Sequence, residues 1–137
     1  MRRSPLEEGK RWLRQAREDL KWARRLAEEG GYYLACFLAQ QIGEKALKAL
    51  LYASGEENVP GHSIHRLATE ASAIHEDLAG RLSRWSILDT FYIPTRYPGG
   101  LPEGIPAEVY GESAAAQALT LVAEIVQYVE DKLAGQV

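Results

Sequence analysis

Apolar residues return at alternating intervals of three and four along most of the chain, the rhythm of amphipathic helices. Leu13, Ala16, Leu20, Ala23 and Ala27 form the first such stripe. Ser4-Pro5 offers an N-cap and an N1 residue before it, and Gly30-Gly31 a stop after it. A helix is therefore predicted from about Pro5 to about Glu29. A second is predicted from Tyr32 to Ser54, where Ala35, Ala39, Ile42, Ala46, Ala49 and Ala53 make one stripe. Phe37, Leu38, Leu47, Leu50 and Leu51 widen it on adjoining faces. A helix apolar round most of its circumference belongs at the centre of a fold. Its alanines and Gly43 let neighbours approach closely. Gly55 ends it, and residues 56–61 read as a loop.

The third helical region starts near His62-Ser63 and runs through Ile64, Leu67, Ala71, Ile74 and Leu78. It continues through Leu82, Trp85, Asp89 and Tyr92 to Pro94, and a turn at 74–77 would divide it in two. Residues 96–106 contain three Pro and three Gly in eleven positions, which predicts a loop, long for a helical bundle. The last helix is predicted from Glu112 or Ser113 to Leu133, burying Ala118, Val122, Ile125, Val129 and Leu133. No strand-like alternation competes. The pattern predicts an all-α, antiparallel up-down four-helix bundle with room for a short fifth helix.

Composition narrows the functional classes. A chain of 137 residues suits one domain, 1–137, with a core large enough to need no staples. A single cysteine, Cys36, excludes an intrachain disulfide framework and a four-cysteine zinc site. The first twelve residues lack the apolar core of a signal peptide. No apolar run approaches the ~20 residues that span a bilayer. A cytoplasmic protein without a membrane partner is expected. The net charge of −3 conceals a polarity: residues 1–29 hold nine Lys/Arg against six Asp/Glu, and the remainder totals −6.

Four constellations carry candidate chemistry. Lys10, Arg14, Arg17, Lys21 and Arg24 repeat at 4, 3, 4 and 3, about 100° round from the apolar stripe. Such a row follows a phosphate backbone or is simply a solvated face with Glu18, Asp19 and Glu28 as local ion partners. Gln41, Glu44, Lys45 and Lys48 share a face of the second helix. Glu44 and Lys48 form a favourable i, i+4 pair, and the alternative is a ligand surface on which Lys45 and Lys48 meet phosphate. His62, His65 and His75 have no metal-ligand spacing around them, so no metal is expected, and His62 either orders the start of the third helix or faces a site between helices. Asp89, Phe91, Tyr92, Arg96 and Tyr97 close the third region. Arg96 either clamps Asp89 to fasten the long loop or grips phosphate while a tyrosine stacks on a base. Cys36 reads as a small buried apolar residue. Trp12 and Trp22 flank the seam of the first helix and are candidates for a subunit interface.

The order of these blocks matches a known family. Ala16-x-x-Asp19-Leu20-x-x-Ala23 precedes the run Tyr32 to Leu51, with its Gln40-Gln41-Ile42-Gly43-Glu44-Lys45-Ala46-Leu47-Lys48 core. His62-Ser63-Ile64-x-x-Leu67 and Tyr92-x-x-x-Arg96-Tyr97-Pro98 follow. In this the chain resembles the HEPN family, the "higher eukaryotes and prokaryotes nucleotide-binding" domain. The resemblance implies a four- or five-helix bundle, commonly a homodimer. It also implies pairing with a minimal nucleotidyltransferase, often as toxin and antitoxin. Many members are metal-independent ribonucleases with an Arg followed, after four to six residues, by a His. Here no Arg has a His at that distance, and no His follows His75. The expected activity is therefore binding of a nucleotide or RNA without a cofactor, and no catalytic residue is assigned. Lys45, Lys48, His62, Arg96 and Tyr97 are the expected ligand contacts, supported by Glu44, Asp89 and Tyr92. Dimerisation is expected through the first two helices. The alternatives are a ribonuclease toxin using His62 and Arg96, and an interaction protein with no nucleotide site.

Overall fold

A computed structural model describes residues 3–135; the outermost two residues at each end of the expected domain lie outside it. Helix α1 spans Pro5–Glu28. Ser4 caps it in a full capping box: its hydroxyl accepts from the Glu7 amide, and the Glu7 carboxylate accepts from the Ser4 amide. Helix α2 spans Tyr32–Ala53. Both helices end in the same way. Gly30 and Gly55 take φ of 87° and 110°, which β-carbon-bearing residues rarely adopt. The amides two residues past each C-cap then turn back, Gly31 to the Leu26 carbonyl and Glu56 to the Leu51 carbonyl.

The third region is broken. Helix α3 covers only Ile64–Ser72. A 3₁₀ turn at Glu76–Arg81, helix α4 at Leu82–Ser86 and a second 3₁₀ turn at Ile87–Phe91 follow. The break falls at the turn expected near Ile74, and its cause lies in spacing. Trp85, Leu88 and Phe91 are buried at intervals of three, matching 3.0 residues per turn. Ile74, read as part of the apolar stripe, is instead 51% exposed because the chain turns before it. The Gly/Pro loop contains a short helix α5, Pro106–Val109, and α6 completes the fold at Glu112–Ala134.

Helix α2 is the axis. It packs against α1, α3 and α6, and α6 also lies against α1. Fourteen of its 22 residues are buried. All five apolar residues expected to face inward from α6 do so. Gly9 of α1 makes the tightest approach: a β-carbon there would lie 2.6 Å from the Ala49 carbonyl oxygen and 2.7 Å from the Ala53 β-carbon. At Gly43 an added β-carbon would lie 2.7 Å from the end of the Ile64 side chain and 3.3 Å from that of Ile125, both fully buried. Burial pushes the Cys36 thiol up to about 11, in keeping with a filler of the core. Among the described residues no helix is long and apolar enough to cross a membrane.

Polar ties fasten the outer elements to α6. Arg84 makes two hydrogen bonds to the Glu124 carboxylate, at 2.8 and 2.5 Å, and the Trp85 indole donates to the same group. Arg17 joins α1 to Glu130 at 2.5 Å. Asp77 accepts from the Tyr128 hydroxyl at 2.7 Å and meets Lys132 at 3.2 Å. The bonds from Arg84 and from Tyr128 hold the Glu124 and Asp77 carboxyls below the usual carboxylate range. Burial, with Lys132 nearby, holds the His75 imidazole below its ordinary value of 6.5.

Two outcomes follow from this packing. Gly9→Ala is expected to lower the melting temperature by several degrees, because overpacking at about 1–3 kcal/mol outweighs the ~1 kcal/mol of helix propensity gained. Gly80→Ala, where nothing lies within 4 Å of the added carbon, is the neutral control. Because the folded state disfavours the charged imidazole, the stability from His75 is complete above pH 6.5 and lost as pH falls through its depressed folded value. Asp77 and Glu124 act with the same sign in more acidic solution. Urea midpoints should therefore decline from pH 7 to 5 in the native chain and stay flatter over that interval in His75→Gln. A midpoint that rises between pH 7 and 5 contradicts this.

Candidate functional site

Gln40, Glu44 and Lys48 recur every fourth residue on α2, and all three are buried. Polar groups out of water need partners, and each finds them across the fold. The Gln40 amide nitrogen donates to the His62 carbonyl at 2.7 Å and to Asp89 Oδ1 at 3.3 Å, while its oxygen accepts from Gln41 at 2.7 Å. Asp89 caps α3. Its two oxygens accept from the Ile64 amide at 2.7 Å, the His65 amide at 3.0 Å and the Ser63 hydroxyl at 3.0 Å. A carboxylate against the first amides of a helix also meets the positive end of the helix dipole. Gln40 and Asp89 together lock the backbone at His62-Ser63.

That lock sets the side chain of His62. Its Nδ1 lies 3.0 Å from Glu44 Oε1, and Lys48 Nζ lies 3.2 Å from Glu44 Oε2. An ionised carboxylate only accepts, so Nδ1 carries a proton and Nε2 is the nitrogen left for other chemistry. Nε2 has no partner among the described residues. The His62 side chain is 63% exposed, whereas those of Glu44 and Lys48 are 9% exposed. The imidazole stacks on Tyr92 with centroids 5.7 Å apart and planes 17° from parallel. On Tyr92 also lies the Arg96 guanidinium, 4.4 Å from the ring centre and 5.2 Å from those of both Phe37 and Tyr97. Arg96 Nε donates to the Tyr92 carbonyl at 2.8 Å. Among the described residues its terminal nitrogens face no carboxylate.

The structure thus joins Lys48, Glu44, His62, Tyr92, Arg96 and Tyr97 in one unbroken array. Lys48 supports it from beneath, its ammonium engaged by Glu44 and 5.9 Å from the Trp12 ring. Lys45 is not part of the array. It turns to α1 and pairs with Asp19 at 2.5 Å. The expected clamp between Asp89 and Arg96 does not form. Asp89 is taken by the first turn of α3, a stronger bid because three donors there otherwise lose water. Arg96 is held by aromatic faces. Gln40 was absent from the expected set: it sits among apolar residues, and its partners, 22 and 49 positions away, leave no local signal. Tyr97 is 56% exposed, and Ile93, Ile105 and Val109 beside it in the chain are about half exposed.

With its two roles separated, the cluster is open to mutation. Asp89→Ala should cost about 2–4 kcal/mol through the lost cap and the stranded Gln40 and Ile64 donors. Arg96→Ala should leave the unfolding midpoint nearly unchanged. The double variant should be additive within about 0.5 kcal/mol, and a larger coupling would restore the clamp.

Comparison with known proteins identifies the family. A model of the HEPN domain matches residues 10–132. The crystal structure of TT1696 from Thermus thermophilus is 41% identical, with a TM-score of 0.79 over 91% of this chain and 98% of that one. The crystal structure of ST0689, an archaeal HEPN homologue, is 37% identical, with a TM-score of 0.75 over 97% of this chain and 99% of that one. No curated protein matches. With the family model spanning nearly all of α1 through α6, the chain belongs to the HEPN family.

Proposed function

We propose that this HEPN protein is a cytoplasmic, non-catalytic module that binds a nucleotide or RNA through phosphate. One observation carries the reading. Arg96 and the Nε2 edge of His62 lie on one stacked array, and the carboxylate touching that array, Glu44, is buried beneath it and already neutralised by Lys48. A guanidinium with free terminal nitrogens grips phosphate bidentately. The exposed Tyr97 ring beside it suits stacking on a base. Lys45 serves at the margin, as a cation already shared with Asp19. Leu34, Ile93, Ile105 and Val109 are exposed apolar residues and suit protein contact. The family membership is what supports a homodimer through α1 and α2 and a minimal nucleotidyltransferase partner in a two-component, toxin–antitoxin-like system.

A second reading rests on Glu44. A buried carboxylate holding one ring nitrogen of an exposed histidine is how a general base is oriented. His62 would then take the proton of a ribose 2′-hydroxyl as that oxygen bonds to the adjacent phosphorus, and Arg96 would bear the phosphate charge. The P–O5′ bond would break with water protonating the departing 5′-oxygen, leaving a 2′,3′-cyclic phosphate and making the protein a metal-independent ribonuclease.

The two readings part in one experiment. Fluorescence anisotropy with labelled AMP and with a short oligoribonucleotide at low salt should show salt-sensitive binding. AMP binding should weaken at least about tenfold in Arg96→Ala, the loss of one charge-assisted contact, and less in Lys45→Ala. RNA should remain intact in EDTA. Cleavage that disappears in His62→Ala would install the ribonuclease reading. Absence of binding at low salt would leave an interaction protein with no nucleotide site.

A further inference from the structure

We propose that the outer edge of α1 is a second nucleic-acid surface, one that takes a single strand and is separate from the Arg96 site. Lys10, Arg14, Arg17, Lys21 and Arg24 are all exposed. At 1.5 Å per residue they form a straight row about 21 Å long, with a cation every ~4.5–6 Å. Among the described residues Lys10, Arg14 and Arg24 have no carboxylate partner, and Lys21 meets Glu18 only at 3.4 Å. Only Arg17 is tied across the fold, to Glu130 of α6. The row therefore borders α6. The flank of α1 that carries Trp12 and Asp19 instead faces α2, where the Lys48 and Lys45 ammonium groups meet them. The thickness of α1 lies between the two surfaces.

A row of cations alone does not select a kind of partner. Trp22 does. It is 54% exposed, the most exposed of the three tryptophans, and with Lys21, Arg24, Arg25 and Glu28 it lines a shallow concavity at the C-terminal end of the row. Its indole nitrogen is held by Glu18 at 3.3 Å, and Lys21 lies 5.2 Å from the ring centre. A fixed aromatic platform beside cations that track a backbone is how single strands are bound. In a duplex the base faces are already stacked on one another and cannot reach Trp22. The remainder of the chain totals −6, and this charge asymmetry turns α1 toward an approaching polyanion. A second copy of the chain is a poor occupant. A two-fold contact along this row would set like charges against each other.

The test uses the full chain and a fifteen-residue oligothymidylate, with Trp22 emission and strand anisotropy as readouts. Quenching is expected on strand addition. The variant Lys10→Gln, Arg14→Gln, Arg24→Gln should keep its melting temperature, weaken binding at least tenfold and flatten the log–log salt dependence by about 2. Trp22→Ala should weaken the single strand about tenfold and leave a duplex of the same length unaffected. AMP binding should be unchanged in these variants, and strand binding should survive in Arg96→Ala. These last two arms keep failure here distinct from failure of the Arg96 reading. Equal affinity for duplex and single strand overturns the proposal. So does Trp22 emission that changes on protein dilution, which marks a contact between copies. Competition by phosphatidylserine vesicles in the absence of any strand binding also overturns it, in favour of a lipid surface.

Discussion

Gln40, Glu44 and Lys48, buried on the central helix, must be satisfied away from water, and that requirement organises the rest of the molecule. Leaving any of them unpaired would cost several kcal/mol. Helix α2 is buried because it is apolar on most sides, so three of its polar residues, Gln40, Glu44 and Lys48, are carried inward with it. Gln40 draws in the turn before α3 and the carboxylate of Asp89. Glu44 draws in Lys48 from its own helix and His62 from that turn. The place where α3 starts, the side chain that caps it and the ring that emerges at the surface are consequences of one polar stripe on the central helix.

Much of this was legible in the chain, and the exceptions are instructive. The Ser4 capping box, the glycine terminators at 30 and 55 and the inward face of α6 are local features. Their causes lie within a turn of the residues that show them. The Glu44–Lys48 pair was legible for the same reason. What escaped depends on contacts between distant segments. Asp89 and Arg96 sit seven positions apart and look like natural partners, but the unsatisfied amides of α3, some 25 positions upstream, compete better for the carboxylate. Gln40 is one polar letter in an apolar run until its partners fold against it. Ile74 fitted a helical rhythm that the chain abandons at Ser72, and the change to intervals of three at Trp85, Leu88 and Phe91 was the available sign.

The surface divides by helix. Among the described residues Lys10, Arg14 and Arg24 of α1 have no carboxylate partner, whereas most cations of the later segments are engaged: Arg84 by Glu124, Lys132 by Asp77, Lys48 by Glu44. The isolated pairs contribute little to stability. Arg96, like Arg81, is held among the described residues by ring faces rather than by an anion, so its charge stays available to something outside the protein.

The array that emerges at the surface ends at Tyr97, before the glycines and prolines of residues 98–106 begin. None of the polar side chains that build it bonds to that run. That run meets the array through backbone: the Gly100 amide donates to the Tyr97 carbonyl, and Gly100 packs against the backbone of Pro94. The rim and the anchoring chemistry are thus built by separate stretches of chain, joined where a glycine leaves room.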